Sequence, residues 1–289
     1  MAAIAASVSP SLMAQNGGEV KSAEVIQSNL RFCESTYPHG NGILVANFGT
    51  EELNPLNNEG KGYILYLKGN EIKPFIAADG NLSAPKGMLM EQQHLFVCDV
   101  NKVVVYNLDK PKEKPQIIRM PEGNLFVNDL VAADGTLYIS VTNTDKIFKA
   151  DITDVNRVGE PVEWLTVPGP NGLLLNDGNM YVASYPANGN TKDKNVIYRI
   201  SDLNNPKAEK LITLPGQYDG IALSGDRKSL YITNWAPAGI SKVCLETGKI
   251  TPLAIGLDKA LIGPADITVK DGKIYIPDLP NSRVVIINE

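Results

Sequence analysis

The chain has 289 residues, 43% of them hydrophobic, with 27 basic against 32 acidic side chains. That is ample for a large core, and the balanced, slightly acidic charge lacks the basic stripe that a nucleic-acid partner requires. No apolar run approaches the ~18–20 residues of a membrane span.

The first segment, residues 1–19, differs in character from the rest. MAAIAASVSPSLMAQNGG is small, apolar and Ser-containing, and MAQ resembles the end of a signal peptide cleaved after Ala14. The expectation is an exported protein, periplasmic or extracellular, with a signal remnant over 1–19 ahead of a domain over 20–289; a disordered tail is the competing reading of 1–19. Three cysteines, Cys33, Cys98 and Cys244, form no even framework and no CxxC pair. They read as buried free thiols, with one disulfide left open in an oxidising compartment.

Next comes SAEVIQSN (22–29), of strand length and alternation, and then a repeat. ILVANF (43–48), LFVCDV (95–100), LYISVT (137–142), MYVASY (180–185), LYITNW (230–235) and IYIPDL (274–279) are versions of one strand, starting roughly 42–52 residues apart. Each is preceded by another run and followed by a third, and the first five are followed by a fourth as well. In the third unit the four are VNDLVAAD (127–134), LYISVT, KIFKADI (146–152) and VEWLTV (162–167). Connectors with DG, NDG, GDR and KDG carry tight-hairpin chemistry. The solvated KPKEKP (110–115) reads as a loop within the second unit. Six units of four short antiparallel strands predict an all-β, six-bladed β-propeller in one domain. The sixth unit ends before its fourth strand, so 22–29 is expected to supply it as the outermost strand and close the ring.

In a propeller the innermost strand of each blade lines the central channel, and its first residues face the axis. The six heads are Glu34-Ser35, Lys86-Gly87, Asn128-Asp129, Asn171-Gly172, Asp219-Gly220 and Ala265-Asp266. Taken singly, Asn, Asp and Gly at strand beginnings are also turn formers. Together, Glu34, Asn128, Asn171 and Asp219 offer an all-oxygen donor set, which suits a hard divalent cation. Ca²⁺ is the first choice, with Mg²⁺, Mn²⁺ or Zn²⁺ as alternatives. Lys86 is either a cationic neighbour of that ion or part of the channel wall. His39 and His94 fall in the hairpins at the other end of these strands, outside the site. The long connectors 48–62 and 185–195 should rim the pocket. Shorter ones bring Asp99, Asn143, Trp235 and Asp278 nearby, with Trp235 as an apolar wall or as packing between blades.

These residues resemble the senescence-marker-protein/gluconolactonase family of regucalcin-like six-bladed propellers. The resemblance covers nearly the whole chain after residue 19. It rests on Glu34 in CES, Asn128 in FVNDL, Asn171 in GPNGL and Asp219 in YDGIA. It implies metal-assisted hydrolysis of a lactone or other ester in a small-molecule substrate. Asp219 and Asn128 would be catalytic, Glu34, Asn128, Asn171 and Asp219 would hold the metal, and Lys86, Phe126, Asp129, Trp235 and Asp266 would bind substrate. Phe126 stands where sugar-lactone members often carry Arg, which points to a less polar substrate. Two other readings stay open. One is a non-catalytic propeller of the NHL-repeat kind, binding a peptide, glycan or protein partner on its loop face. The other is a strictosidine-synthase-like enzyme that would use Glu34 as its channel carboxylate.

Overall fold

The computed structural model describes residues 20–69 and 71–289. The proposed leader over 1–19 lies outside them. Six antiparallel sheets follow one another around a ring, a six-bladed β-propeller. The only helices among the described residues are two single 3-10 turns, Thr142–Thr144 and Leu279–Asn281. None is long and apolar enough to cross a membrane.

In the first four blades the second strand is the most buried, as its continuous apolar run requires. His94–Asp99 and Gly42–Asn47 have no residue open to solvent. Their side chains meet those of the next blade, so the core is a series of packed seams between sheets. One seam joins Phe96, Val103 and Val105 to Leu137, Ile139 and Phe148. Another joins Ile43 and Val45 to Val284 and Ile286, across the closure. All three cysteines are free. Cys33 and Cys98 are buried, as expected for thiols used as small apolar groups, whereas Cys244 is partly exposed.

The ring closes through Lys21–Ile26, which pairs antiparallel with the last strand, Arg283–Asn288, in the register Ala23 to Ile287 and Ile26 to Val284. The closing strand is not outermost, however. Ile255 and Gly256 pair in parallel with Lys21 and Ser22 beyond it. The fourth run of blade five breaks after Pro252, and its continuation at Ile255–Gly256 crosses to cover an edge that would otherwise be unpaired. Two further runs are shorter than expected. The fourth strand of blade four is only Glu209–Lys210, and the innermost strand of blade six is regular only over Thr268–Lys270, with Ser35–Asp266 and Pro264–Asp278 as isolated bridges.

Two repeated devices set the cavity. The first is a β-bulge at the head of the innermost strand in blades one to five. Register shifts fall between Cys33 and Ser35, Pro85 and Met88, Val127 and Leu130, Pro170 and Leu173, and Tyr218 and Ile221. Glu34, Lys86-Gly87, Asn128-Asp129, Asn171-Gly172 and Asp219-Gly220 occupy them. A bulge re-aims the side chain it carries, so these pairs are bulge residues and not turn formers. The glycines are required by close approach. A Cβ on Gly220 would stand 2.6 Å from Ala265 O and from Asp266 Cα in the next blade.

The second device is a clasp at the end of the second strand. Asn47 accepts from Arg31 N–H, Asp99 from Ser83 and Ala84, Asn143 from Leu125 and Phe126, Asn234 from Gln217, and Asp278 from Ile262 and Gly263. Each clasp fixes the connector that leads into its own blade's innermost strand.

Candidate functional site

The five bulges place Glu34, Lys86, Asn128, Asn171 and Asp219 around one cavity of about 120 Å³ at one end of the tunnel. Phe48, Phe126, Trp235 and Leu279 supply apolar wall, and Pro55, Thr142, Tyr185 and Ala187 complete the lining. Both long connectors reach it, the first through Pro55 and the second through Tyr185 and Ala187. Trp235 does both things expected of it. It faces the cavity and packs with Phe48, Ala84, Ala265 and Leu279.

Seven buried side-chain polar atoms among the described residues have no hydrogen-bond partner. Four are Glu34 Oε2, Asn128 Oδ1, Asn171 Oδ1 and Asp219 Oδ1. The other three, His94 Nε2, Asp99 Oδ2 and Arg199 Nε, belong to residues that do not line this cavity, and Asp99 Oδ2 has the Lys102 ammonium 3.4 Å away. An orphaned buried acceptor costs about 1–3 kcal/mol. Four on residues lining one cavity, all oxygen, form a cradle of electron pairs. Asn171 Nδ2 lies 3.4 Å from Asp219 Oδ2, which turns the Asn171 oxygen away from that carboxylate.

The electrostatics follow from burial. Desolvation, then the charge of Asp219, holds the Glu34 carboxyl well above its ordinary value, against the pull of Lys86. Burial pushes Asp219 up to about 7, opposed by the Asn171 hydrogen bond and by Lys86. Lys86 itself is lowered by burial, with Glu34 acting in the other direction. Its Nζ donates to Ala84 O at 2.9 Å and Pro55 O at 3.3 Å, and sits 5.5 Å from the Phe48 ring centre.

Two of the expected substrate contacts lie elsewhere. Asp129 and Asp266 line a separate cavity deeper along the axis, with Thr36, Met88, Leu130 and Ile267 among its walls. Each is the second residue of its strand head, Asp129 within a bulge and Asp266 beside the isolated bridge to Ser35, and neither lines the first cavity. Asp129 accepts from its own Leu130 N–H at 2.8 Å and from Leu173 N–H of the next blade at 2.6 Å. Asp266 accepts from Ser35 Oγ at 2.8 Å across the closure. Burial pushes Asp129 up to about 7 and Asp266, helped by the charge of Asp129, well above its ordinary value. These are joints between blades.

Asp99, Asn143 and Asp278, expected near the pocket, do not line it and serve as clasps. His39 packs edge-on against Tyr66 and Phe75, His94 Nδ1 bonds to Gln92 O, and neither ring lines the cavity. Sequence reasoning missed Phe48, Thr142, Tyr185 and Leu279 as individual lining residues. All four stand at or just past the end of a second strand, a position at which the repeat could have flagged them.

Among the described residues no group of three or more His, Cys, Asp or Glu side chains is placed to share a metal. The cradle has only two carboxylates and completes itself with two amides. Such a donor set fits a hard cation taking oxygen ligands and lacks the nitrogen and sulfur that zinc favours.

No protein-family model matches this sequence, and no curated protein is similar to it. Solved structures are similar in fold. A structural-genomics protein provisionally described as a gluconolactonase superposes with a TM-score of 0.65 at 13% identity, over 93% of this chain and 92% of that one. A streptogramin B lyase gives 0.62 at 14%, over 92% and 97%. A catalytically inactive His-to-Ala variant of virginiamycin B lyase from Staphylococcus aureus, solved with quinupristin, gives 0.60 at 14%, over 92% and 99%. At these identities the likeness establishes the propeller and nothing finer.

Proposed function

We propose that this propeller is a metal-dependent hydrolase of lactones or related carboxylic esters. The observation that carries the reading is the convergence of four partnerless buried oxygens, from Glu34, Asn128, Asn171 and Asp219, on one cavity. Those four residues would hold a divalent cation, Ca²⁺ first among the candidates. When bound, such an ion supplies Lewis-acid polarisation of an ester carbonyl and charge for the oxyanion that develops.

The chain's own residues do the rest. Asp219, with a carboxyl near 7 in the cation-free site, is the group suited to take a proton from the attacking water. Asn128 and Asn171 present amide oxygens without adding charge, and Asn171 fixes the orientation of Asp219. Phe48, Phe126, Trp235 and Leu279 exclude water from the bound ester and favour a substrate with an apolar body.

One observation weighs against the chemistry of the similar lyases, and one against a scaffold that only docks partners. The lyase structure is inactivated by loss of a histidine, and no histidine lines this cavity. A scaffold that only docks partners gains nothing from four orphaned oxygens, whose burial costs stability. The test is elemental analysis of the purified protein together with turnover of a lactone and ester panel by the parent and Asp219→Ala. The expected result is bound Ca²⁺ and activity in the parent, and loss of both in a folded variant. A variant that hydrolyses the panel as fast as the parent would overturn the assignment.

A further inference from the structure

Lys86 is the one cation among the six heads, and it is 2% exposed. Burying an ammonium is expensive unless its donors are met. Its neighbours are two backbone carbonyls and the face of an aromatic ring. All three accept, and none donates, so the surroundings are built for the protonated amine. An ammonium has three N–H donors; the two carbonyls take two, and the side chain lines the cavity. No carboxylate stands within ion-pair distance of it among the described residues.

The charges lining the cavity are Glu34, Asp219 and Lys86. With both carboxylates ionised they sum to −1. A divalent cation in the cradle brings the sum to +1. The loaded site is therefore a positively charged pocket with apolar walls, and its third Lys86 donor is available. Charge-assisted hydrogen bonds of this kind are roughly twice as strong as neutral ones.

We propose that Lys86 makes this site select an ester with an apolar body and one carboxylate group, held by the Lys86 ammonium. The inference rests on the hydrolytic reading for the word ester. The anion site itself is tested by binding, without turnover.

With Ca²⁺ present, pentanoate raises the Tm of the parent and pentanamide, its neutral analogue, does not. Lys86→Met loses the pentanoate shift while binding Ca²⁺ about tenfold more tightly by calorimetry, because a repelling charge is gone. In turnover, the parent favours the 4-nitrophenyl monoester of glutarate over 4-nitrophenyl pentanoate by about tenfold or more in kcat/KM, chiefly through KM. In the variant that ratio falls to about one. Lys86→Gln serves if the Met variant does not fold, and a shift lost in either variant separates binding at Lys86 from direct binding of pentanoate to the Ca²⁺. Pentanoate binding and no ester turnover would sink the hydrolase reading while upholding the anion site. Equal shifts from pentanoate and pentanamide, or a pentanoate shift that survives Lys86→Met, overturn the role of Lys86.

Discussion

The two residues of each strand head make the sharpest contrast in the molecule. Asn128 and Asp129 are consecutive, and so are Ala265 and Asp266, yet first and second residues serve different ends of the tunnel. The first residues of four heads end in oxygens with no partner. Where the second residue is an acid, its oxygens are engaged: Asp129 by Leu130 and Leu173, Asp266 by Ser35. Both rows are buried and both contain carboxylates pushed up by burial. What differs is satisfaction. A buried acid that joins two blades supports the ring, and one left with a partnerless oxygen costs stability until a cation arrives.

Paired substitutions break this contrast most directly. Asp219→Asn should lower turnover by about a hundredfold or more and abolish a Ca²⁺-induced rise in Tm. The cation-free Tm should stay the same or rise, because a buried charge with one weak partner has gone. Asp129→Ala should do the reverse. Two backbone N–H groups lose their acceptor, for about 2–4 kcal/mol of lost stability in denaturant titration, and Ca²⁺ affinity measured by calorimetry should change little. If both variants behave alike, the distinction between the rows fails.

Gly220→Ala is next in size. Its Cβ would press on backbone, not on a flexible side chain, for about 2–3 kcal/mol, read as a lower denaturation midpoint.

The pH dependence of stability sharpens the same contrast. Asp129 and Asp219 each move from 3.8 to about 7 on folding. Below about pH 3.8 both states are protonated and the shift costs nothing. Between there and 7 the native state keeps protons that the unfolded chain has released, so stability falls as pH rises. Glu34 and Asp266, also raised well above their ordinary values by burial, add to the same fall. Melting curves of cation-free protein from pH 4 to 8 should show this decline. Millimolar Ca²⁺ should remove the share belonging to Asp219 and Glu34 and leave that of Asp129 and Asp266.

The smallest expected effect is Asn143→Ala. It frees the Leu125 and Phe126 amides at a part-exposed connector, for about 1 kcal/mol, with no change in Ca²⁺ affinity. A marked loss of affinity would mean that this clasp belongs to the site.

The sequence by itself determined the number of blades, the four-strand unit, the partner of the closing strand and the identity of the polar heads. These follow from local alternation and from a period repeated six times, which need no knowledge of distant contacts. Tertiary structure alone decided where those heads point. Whether Asp129 meets a ligand or Leu173, whether Asp278 rims a pocket or clasps Gly263, and which edge 255–256 covers depend on residues in other blades or in distant connectors. The physical reason is that a bulge turns neighbouring side chains in different directions, and only the packed ring determines which of them finds a partner.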